Sequence, residues 1–212
     1  MRFKKISLIL LIVLATNFIG GCVKRDTLDN IDIYTTVYPL EYITNYLYGA
    51  RNNIYSIYPD GIIITEYDLT EKQIQDYSKG SIFVYNGLLD EKKYVQPMFN
   101  HNRNLRIIDA SRTMEYSGDI HELWLNPSNF LMLAQNIRNG LKEYINNGYL
   151  KNEIDKNYEE LKVEVSNLDA KIQLTSDSAS NKTIITSNPS LKFLEKYGFK
   201  VLVANNTLTD RQ

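Results

Sequence analysis

The chain has 212 residues, with 24 Lys and Arg against 25 Asp and Glu, a net charge of −1 and a single cysteine. That balance offers no basic field for nucleic acid, whose binding rests on neutralising phosphates. One cysteine forms no internal disulfide, and the length allows one large domain or two small ones.

Arg2, Lys4 and Lys5 open the chain, Ile6 to Ala15 is apolar apart from Ser7, and Ile19-Gly20-Gly21-Cys22 follows. A positive start, an apolar stretch of about 7–15 residues and small residues before a cut describe a bacterial export signal, here residues 1–21. The run falls short of the roughly 20 apolar residues that span a bilayer. Small side chains at 20 and 21 followed by Cys22 resemble the lipobox of bacterial lipoproteins, in which the thiol is acylated before cleavage. The resemblance implies a chain cut before Cys22 and anchored by its lipid to the outer face of the cell membrane. Cleavage removes three positive charges and no negative ones, so the mature net charge becomes −4. A capped thiol also leaves no thiolate for a metal. Residues 22–30 then read as a polar, lipidated tether.

Beyond the tether, Ile31 to Tyr38 is a β-branched and aromatic run stopped by Pro39, which predicts a strand. Leu40 to Tyr48 has helical spacing and ends at Gly49. Asn53 to Tyr58 predicts a second strand, stopped by Pro59-Asp60-Gly61. Thr70-Glu71-Lys72-Gln73 has the spacing of a capping box. Ile82 to Tyr85 and Leu105 to Asp109 predict the third and fourth strands. Strands separated by helices argue for an α/β fold with a parallel sheet and helices on its faces.

Asn126-Pro127 provides an N-cap and a first-turn proline for a helix running to about Tyr144. Next, Leu150, Ile154, Tyr158, Leu161, Val165, Leu168 and Ile172 form one apolar stripe. The stripe predicts a helix of about 23 residues, roughly 35 Å long at 1.5 Å per residue. Ser176 to Asn181 reads as a polar loop, Thr183 to Thr186 as a strand, Ser190 to Tyr197 as a helix stopped by Gly198, and Lys200 to Val203 as a strand. The expected organisation is an N-terminal α/β lobe over residues 31–148, a connecting helix over 149–174 and a partial, C-terminally truncated α/β lobe over 175–212.

The order of these features resembles the solute-binding lipoproteins of zinc and manganese ABC transporters, in which one long helix joins two α/β lobes. Five segments carry the resemblance besides the helix. Tyr34-Thr35-Thr36-Val37-Tyr38-Pro39-Leu40 resembles the family's first strand and turn. Tyr58-Pro59-Asp60-Gly61 with Glu66-Tyr67-Asp68-Leu69-Thr70 resembles its Pro-Gly loop and His-acid-Tyr motif. Val84-Tyr85-Asn86-Gly87 resembles the end of the third strand, and Asp119 to Pro127 the Asp-Pro-His-x-Trp-Leu-Asp-Pro motif. Thr186-Ser187-Asn188 resembles the Thr-Ser-His motif that opens the second lobe.

The resemblance implies an extracytoplasmic protein that binds Zn²⁺ or Mn²⁺ with three histidines and a carboxylate and delivers the ion to an ABC transporter permease. Imidazole suits these ions, and a carboxylate adds charge neutralisation. This chain departs from that donor set. The first histidine aligns with Thr65. The second motif keeps His121 with one residue inserted, and counting back from Trp124 puts Glu122 in the ligand position. The third aligns with Asn188, which before Pro189 is also a good N-cap, and the fourth ligand falls beyond Gln212. With only His101 and His121 in the chain, a three-histidine site cannot form within it. The candidate metal residues are therefore His121, Glu122 and Glu66, the last of which also reads as a plain loop residue. His101 reads as a solvated loop residue and Trp124 as core.

Three functions follow from this reading: a metal-binding importer component with a degenerate site, a surface module for adhesion or non-metal binding, or a truncated non-functional relative. No Ser/His/Asp arrangement, glycine-rich phosphate loop or paired acidic site points to an enzyme.

Overall fold

The computed structural model describes Leu28 and residues 30–49, 52–116 and 123–204. The export signal, Cys22, His121 and Glu122 fall outside the described residues. Four strands, β1 (Asp32–Thr35), β2 (Asn53–Ser56), β3 (Ile82–Tyr85) and β4 (Arg106–Asp109), form one parallel sheet in the order β2-β1-β3-β4. All four residues of β3 are buried. An all-apolar strand with no exposed side needs cover on both faces, as parallel sheets have. The edge strand β2 alternates exposed and half-buried residues instead.

The first strand is shorter than its apolar run predicts. Tyr38 and Pro39 already belong to α1 (Tyr38–Tyr48), with the proline in its first turn, where a missing N–H costs nothing. Pro39 starts a helix here as well as ending a strand. Helix α2 (Glu71–Tyr77) opens with the expected capping box: Thr70 Oγ1 accepts from the Gln73 N–H at 3.3 Å, and Gln73 Oε1 accepts from the Thr70 N–H at 2.9 Å.

A 3₁₀ helix (Asp90–Tyr94) and α3 (Val95–His101) follow β3. Nothing in the pattern predicted them, because Glu91, Tyr94 and Met98 are their only buried residues and Pro97 breaks the helical reading. His101 is the last residue of α3, with Nε2 2.7 Å from Glu71 Oε1, so the loop expected for it is corrected to a helix end, while the residue stays exposed.

Helix α4 (Pro127–Tyr144) is capped by Asn126, whose Oδ1 accepts from the Ser128 N–H at 3.0 Å. Helix α5 spans Gly148–Ser178, 31 residues, or about 46 Å. It outruns the expected 149–174 because the polar residues at its end bond to the helix itself. Thr175 Oγ1 donates to the Lys171 carbonyl at 2.8 Å and Ser178 Oγ to that of Leu174 at 3.0 Å.

Helices α1, α4 and α5 pack on one another. Leu40, Ile43 and Leu47 of α1, Leu133, Ile137 and Leu141 of α4, and Ile154 and Leu161 of α5 are fully or almost fully buried. Between α4 and α5, Asp155 accepts from Arg138 at 2.6 Å and from Lys142 at 2.5 Å, and Arg138 also lies 4.9 Å from the Tyr158 ring centroid. Beyond α5, β5 (Thr183–Thr186) and β6 (Lys200–Val203) form a two-stranded parallel sheet linked by a 3₁₀ helix (Pro189–Tyr197). Gly198 ends that helix at φ +87°, the left-handed conformation that suits glycine. Among the described residues no helix is long and apolar enough to cross a membrane.

Gly140 lets α4 sit directly on β4: a Cβ there would lie 2.7 Å from Ile108 Cγ2. Gly140→Ala gains about 1 kcal/mol of helix propensity but forces an overpacked contact costing about 1–3 kcal/mol. The substitution is expected to lower the urea midpoint, and an unchanged or raised midpoint would show that the helix shifts freely.

Candidate functional site

In open parallel sheets, ligands bind outside the carboxyl ends of the strands. Here those ends are Thr36 after β1, Ile57 and Tyr58 after β2, Asn86 and Gly87 after β3, and Ala110 and Ser111 after β4. Asp109 stitches two of these ends together. Its Oδ1 accepts from the Gly87 N–H at 3.0 Å and from the Ser111 N–H and hydroxyl, both at 2.9 Å.

The candidate residues at the β2 end lie on a 3₁₀ turn, Ile64–Glu66. The turn carries Thr65, and Glu66 stands exposed at its end, its N–H donating to the Ile63 carbonyl at 3.0 Å. The segment after it is tied down firmly. Asp68 pairs with Lys93, which holds its carboxyl below the usual carboxylate range. Tyr94 donates to Asp68 Oδ1 at 3.3 Å and accepts from the Leu69 N–H at 3.1 Å. Tyr67 stacks edge-on against Tyr58 at 6.0 Å and accepts from Gln73 Nε2 at 2.8 Å. Glu66 therefore projects from a loop with a fixed base.

Asn188 sits at the start of the second unit. Its Oδ1 accepts from the Ser190 N–H at 3.0 Å, so it caps the 3₁₀ helix. His121 and Glu122 lie outside the described residues, and the chain resumes at the fully buried Leu123. Among the described residues, no three His, Cys, Asp and Glu side chains converge into a metal-binding group.

Next to Leu123 lies an apolar groove of about 440 Å³ between α1, the start of α4 and α5. Tyr42, Trp124, Leu125, Phe130, Val165 and Leu168 are among its walls. Trp124, expected in the core, is half-buried and forms part of this wall.

The second unit is held to the first by polar bonds. Asp169 of α5 accepts from Tyr197 Oη at 2.5 Å and from Lys196 Nζ at 3.0 Å, and Lys196 reaches Ser128 Oγ of α4 at 3.1 Å. Ser176 Oγ donates to the Tyr197 carbonyl at 2.5 Å. The Tyr197 hydroxyl, with Lys196, holds the Asp169 carboxyl below its ordinary range, while burial and that charge push the Tyr197 phenol up.

Sequence reasoning passed over one buried group at the strand ends. Glu91 is 1% exposed, although Asp90-Glu91-Lys92-Lys93 reads as a solvated charge run. Its only sequence signal is its place two residues after the Leu88-Leu89 pair.

Comparison with known proteins adds a family to this geometry. Residues 33–212 match the family model of the periplasmic zinc-uptake complex component A, ZnuA. A metal ABC transporter substrate-binding lipoprotein of Lactococcus lactis is 26% identical over 219 residues, spanning 92% of this chain and 68% of that protein. The zinc-bound ZnuA-like domain of AdcA from Streptococcus pneumoniae superposes with a TM-score of 0.72 at 22% identity, over 86% of this chain and 70% of that domain. The metal-dependent lipoprotein YcdH of Bacillus subtilis superposes with a TM-score of 0.71 at 20% identity, over 86% of this chain and 70% of the other.

The Asp169 anchor gives a test of how the second unit is held. Asp169→Ala removes the acceptor shared by Tyr197 and Lys196, so limited proteolysis after Ser178 is expected to speed up several-fold while the sheet lobe keeps its melting temperature. An unchanged cleavage rate would assign the attachment to other contacts. In the unmodified chain the depressed Asp169 carboxyl gives an attachment present above the unfolded carboxylate range, near about 3.9, and lost as pH falls through its lower folded value.

Proposed function

The chain belongs to the zinc-uptake complex component A family, and on that premise we propose that it is the extracytoplasmic binding lipoprotein of a metal ABC importer. In this reading Cys22 carries the lipid that tethers the protein to the outer face of the membrane, beside the permease that receives the ion. The match over residues 33–212 is the observation that carries the proposal. The relatives it matches are metal ABC transporter substrate-binding lipoproteins, which supports a binding role over an enzymatic one.

Zn²⁺ is the favoured cargo, with Mn²⁺ as the alternative. Zinc takes nitrogen and oxygen donors, and three protein ligands plus a water make a working tetrahedral site. His121, Glu122 and Glu66 are the donors assigned here. Glu66 is exposed on a turn whose following segment is tied down, so a carboxylate is available at the β2 end of the sheet. Thr65 offers a weaker donor, and the Asn188 carboxamide oxygen is engaged in capping. A site with one imidazole binds more weakly than one with three, which suits an ion that is handed on.

A second reading, a surface module that kept the fold without the ion, draws on that capping role of Asn188. Metal binding separates the two. Residues 23–212, titrated with Zn²⁺ and Mn²⁺ in a calorimeter, are expected to take up one zinc ion with a micromolar Kd or better, about −8 kcal/mol. His121→Ala and Glu122→Gln are each expected to weaken uptake at least about tenfold, or about 1.4 kcal/mol. Uptake should also fall as pH drops through about 6.5, because imidazole must be neutral to bind. No heat of binding for either ion would remove the transport reading and leave the second.

A further inference from the structure

Among the described residues, three buried side-chain atoms lack hydrogen-bond partners, and these, Thr36 Oγ1, Asn86 Nδ2 and Glu91 Oε1, all sit near the carboxyl ends of β1 and β3. Buried polar groups are almost always paired, so three orphans in one place call for a reason. Thr36 and Asn86 follow neighbouring strands, and Glu91 lies in the 3₁₀ helix that closes back over them. One carboxylate oxygen, Oε2, accepts from the Asn86 N–H at 3.1 Å. The other, Oε1, has no hydrogen-bond partner, and the Thr36 side chain lies near enough to the carboxyl to ease a charge on it.

Glu91 also forms part of the wall of a cavity of about 180 Å³, shared with Tyr58 after β2, Ile64 of the candidate turn, and Leu88 and Leu89. Tyr58, Asp90 and Lys93 are the other titratable groups at that cavity. Lys93 is engaged with Asp68, while burial and then the Glu91 charge push the Tyr58 phenol up. Among the described residues, no free cation therefore neutralises Glu91 from this side.

We propose that Glu91 is a built-in proton switch, in which one proton on its buried carboxyl sets the packing of the Asn86–Tyr94 loop and of the Ile64–Glu66 turn. The protonated carboxyl carries an O–H that a small shift brings to Thr36 Oγ1, and it keeps its bond from Asn86, so two of the three orphans are satisfied with no charge to solvate. The charged carboxylate has no O–H to give. It needs the Thr36 hydroxyl turned to donate to it, or water drawn into the cavity, which has ample room for one. The cavity that would take the water is walled in part by Ile64 of the turn. Burial, opposed by Thr36 and Asn86, pushes the Glu91 carboxyl up to about 7, which places the switch in the neutral range.

The test uses the metal-free chain from residue 23 onward, labelled at glutamate carboxyl carbons and backbone nitrogens. The Glu91 carboxyl and the Asn86 amide, assigned through Glu91→Gln, are expected to titrate together with a midpoint near 7. A Glu91 midpoint near the ordinary 4.5 would overturn the switch. Thr36→Val removes the hydroxyl that eases the charge, so it should raise the shared midpoint, and an unmoved midpoint also counts against it. Stability gives a further arm. A folded carboxyl that holds its proton more tightly than the unfolded chain loses stability as pH rises from about 4.5 through its folded value. The melting temperature of the unmodified chain should therefore fall between pH 5 and 8 relative to Glu91→Gln, whereas parallel curves would refute the proposal. No arm uses a metal, so a failure to bind zinc leaves the switch standing and a failed titration leaves the importer reading intact.

Discussion

Helix α5 has one apolar stripe and two ends to serve. Leu150, Ile154, Tyr158 and Leu161 are buried against α1 and α4, but the same stripe continues to Leu168, which is 52% exposed. Hydrophobic burial thus fixes the first half of the helix, and burial of each such side chain contributes on the order of 1.5–3 kcal/mol. Asp155 with Arg138 and Lys142 pins that half to α4, and Asn157 Nδ2 bonds the Leu47 carbonyl at 3.0 Å at the end of α1. The second half projects as a strut. Apart from the Lys196–Ser128 bond to α4, the β5–β6 unit is placed relative to the sheet lobe through that strut. Back-bonding by Thr175 and Ser178 keeps its last turn helical.

The unit at the far end is held differently. Its sheet has two strands, which alone are marginal in water, and Ile185 and Leu202 remain exposed. Polar contacts at Asp169, Lys196, Tyr197 and Ser176 supply the orientation that apolar burial supplies in the first lobe. Such bonds are directional, so they set where Asn188 stands more sharply than apolar packing does. Exposed polar pairs contribute little energy each, because water and salt screen them. The second unit is thus oriented rather than strongly bound.

The strands, the two Asn-capped helices and the Thr70 capping box were legible because local chemistry decides them. An apolar run bounded by proline or glycine reads the same in the sequence and in the fold. The 3₁₀ helix Asp90–Tyr94 and α3 were not legible, since they bury only Glu91, Tyr94 and Met98 and leave a charged surface. The length of α5 was underestimated because Ser and Thr favour loops until their hydroxyls bond back to the helix. At the candidate site, Asn188 as a cap and Glu66 on a loop were readable from their neighbours. Glu91 was not, because its burial depends on β1 and β3, more than fifty residues away in the first case. Charge runs normally face water, and only the tertiary fold closes this one over the strand ends.

That closure explains why a costly group sits where it does. A parallel sheet gathers the ends of β1, β2, β3 and β4 at one edge, and each end exposes backbone groups that a ligand or a loop must satisfy. Asp109 satisfies Gly87 and Ser111 there with a carboxylate that stays half-exposed. Glu91 satisfies Asn86 with a carboxylate that is almost wholly buried. The two acids do the same structural work at neighbouring strand ends, one from β4 and one from the 3₁₀ helix after β3, but only the buried one must choose between holding a proton and recruiting a partner. Because Ile64 shares its cavity, that choice reaches the turn bearing Glu66, and the edge of the sheet that presents a donor is also the edge that responds to a proton.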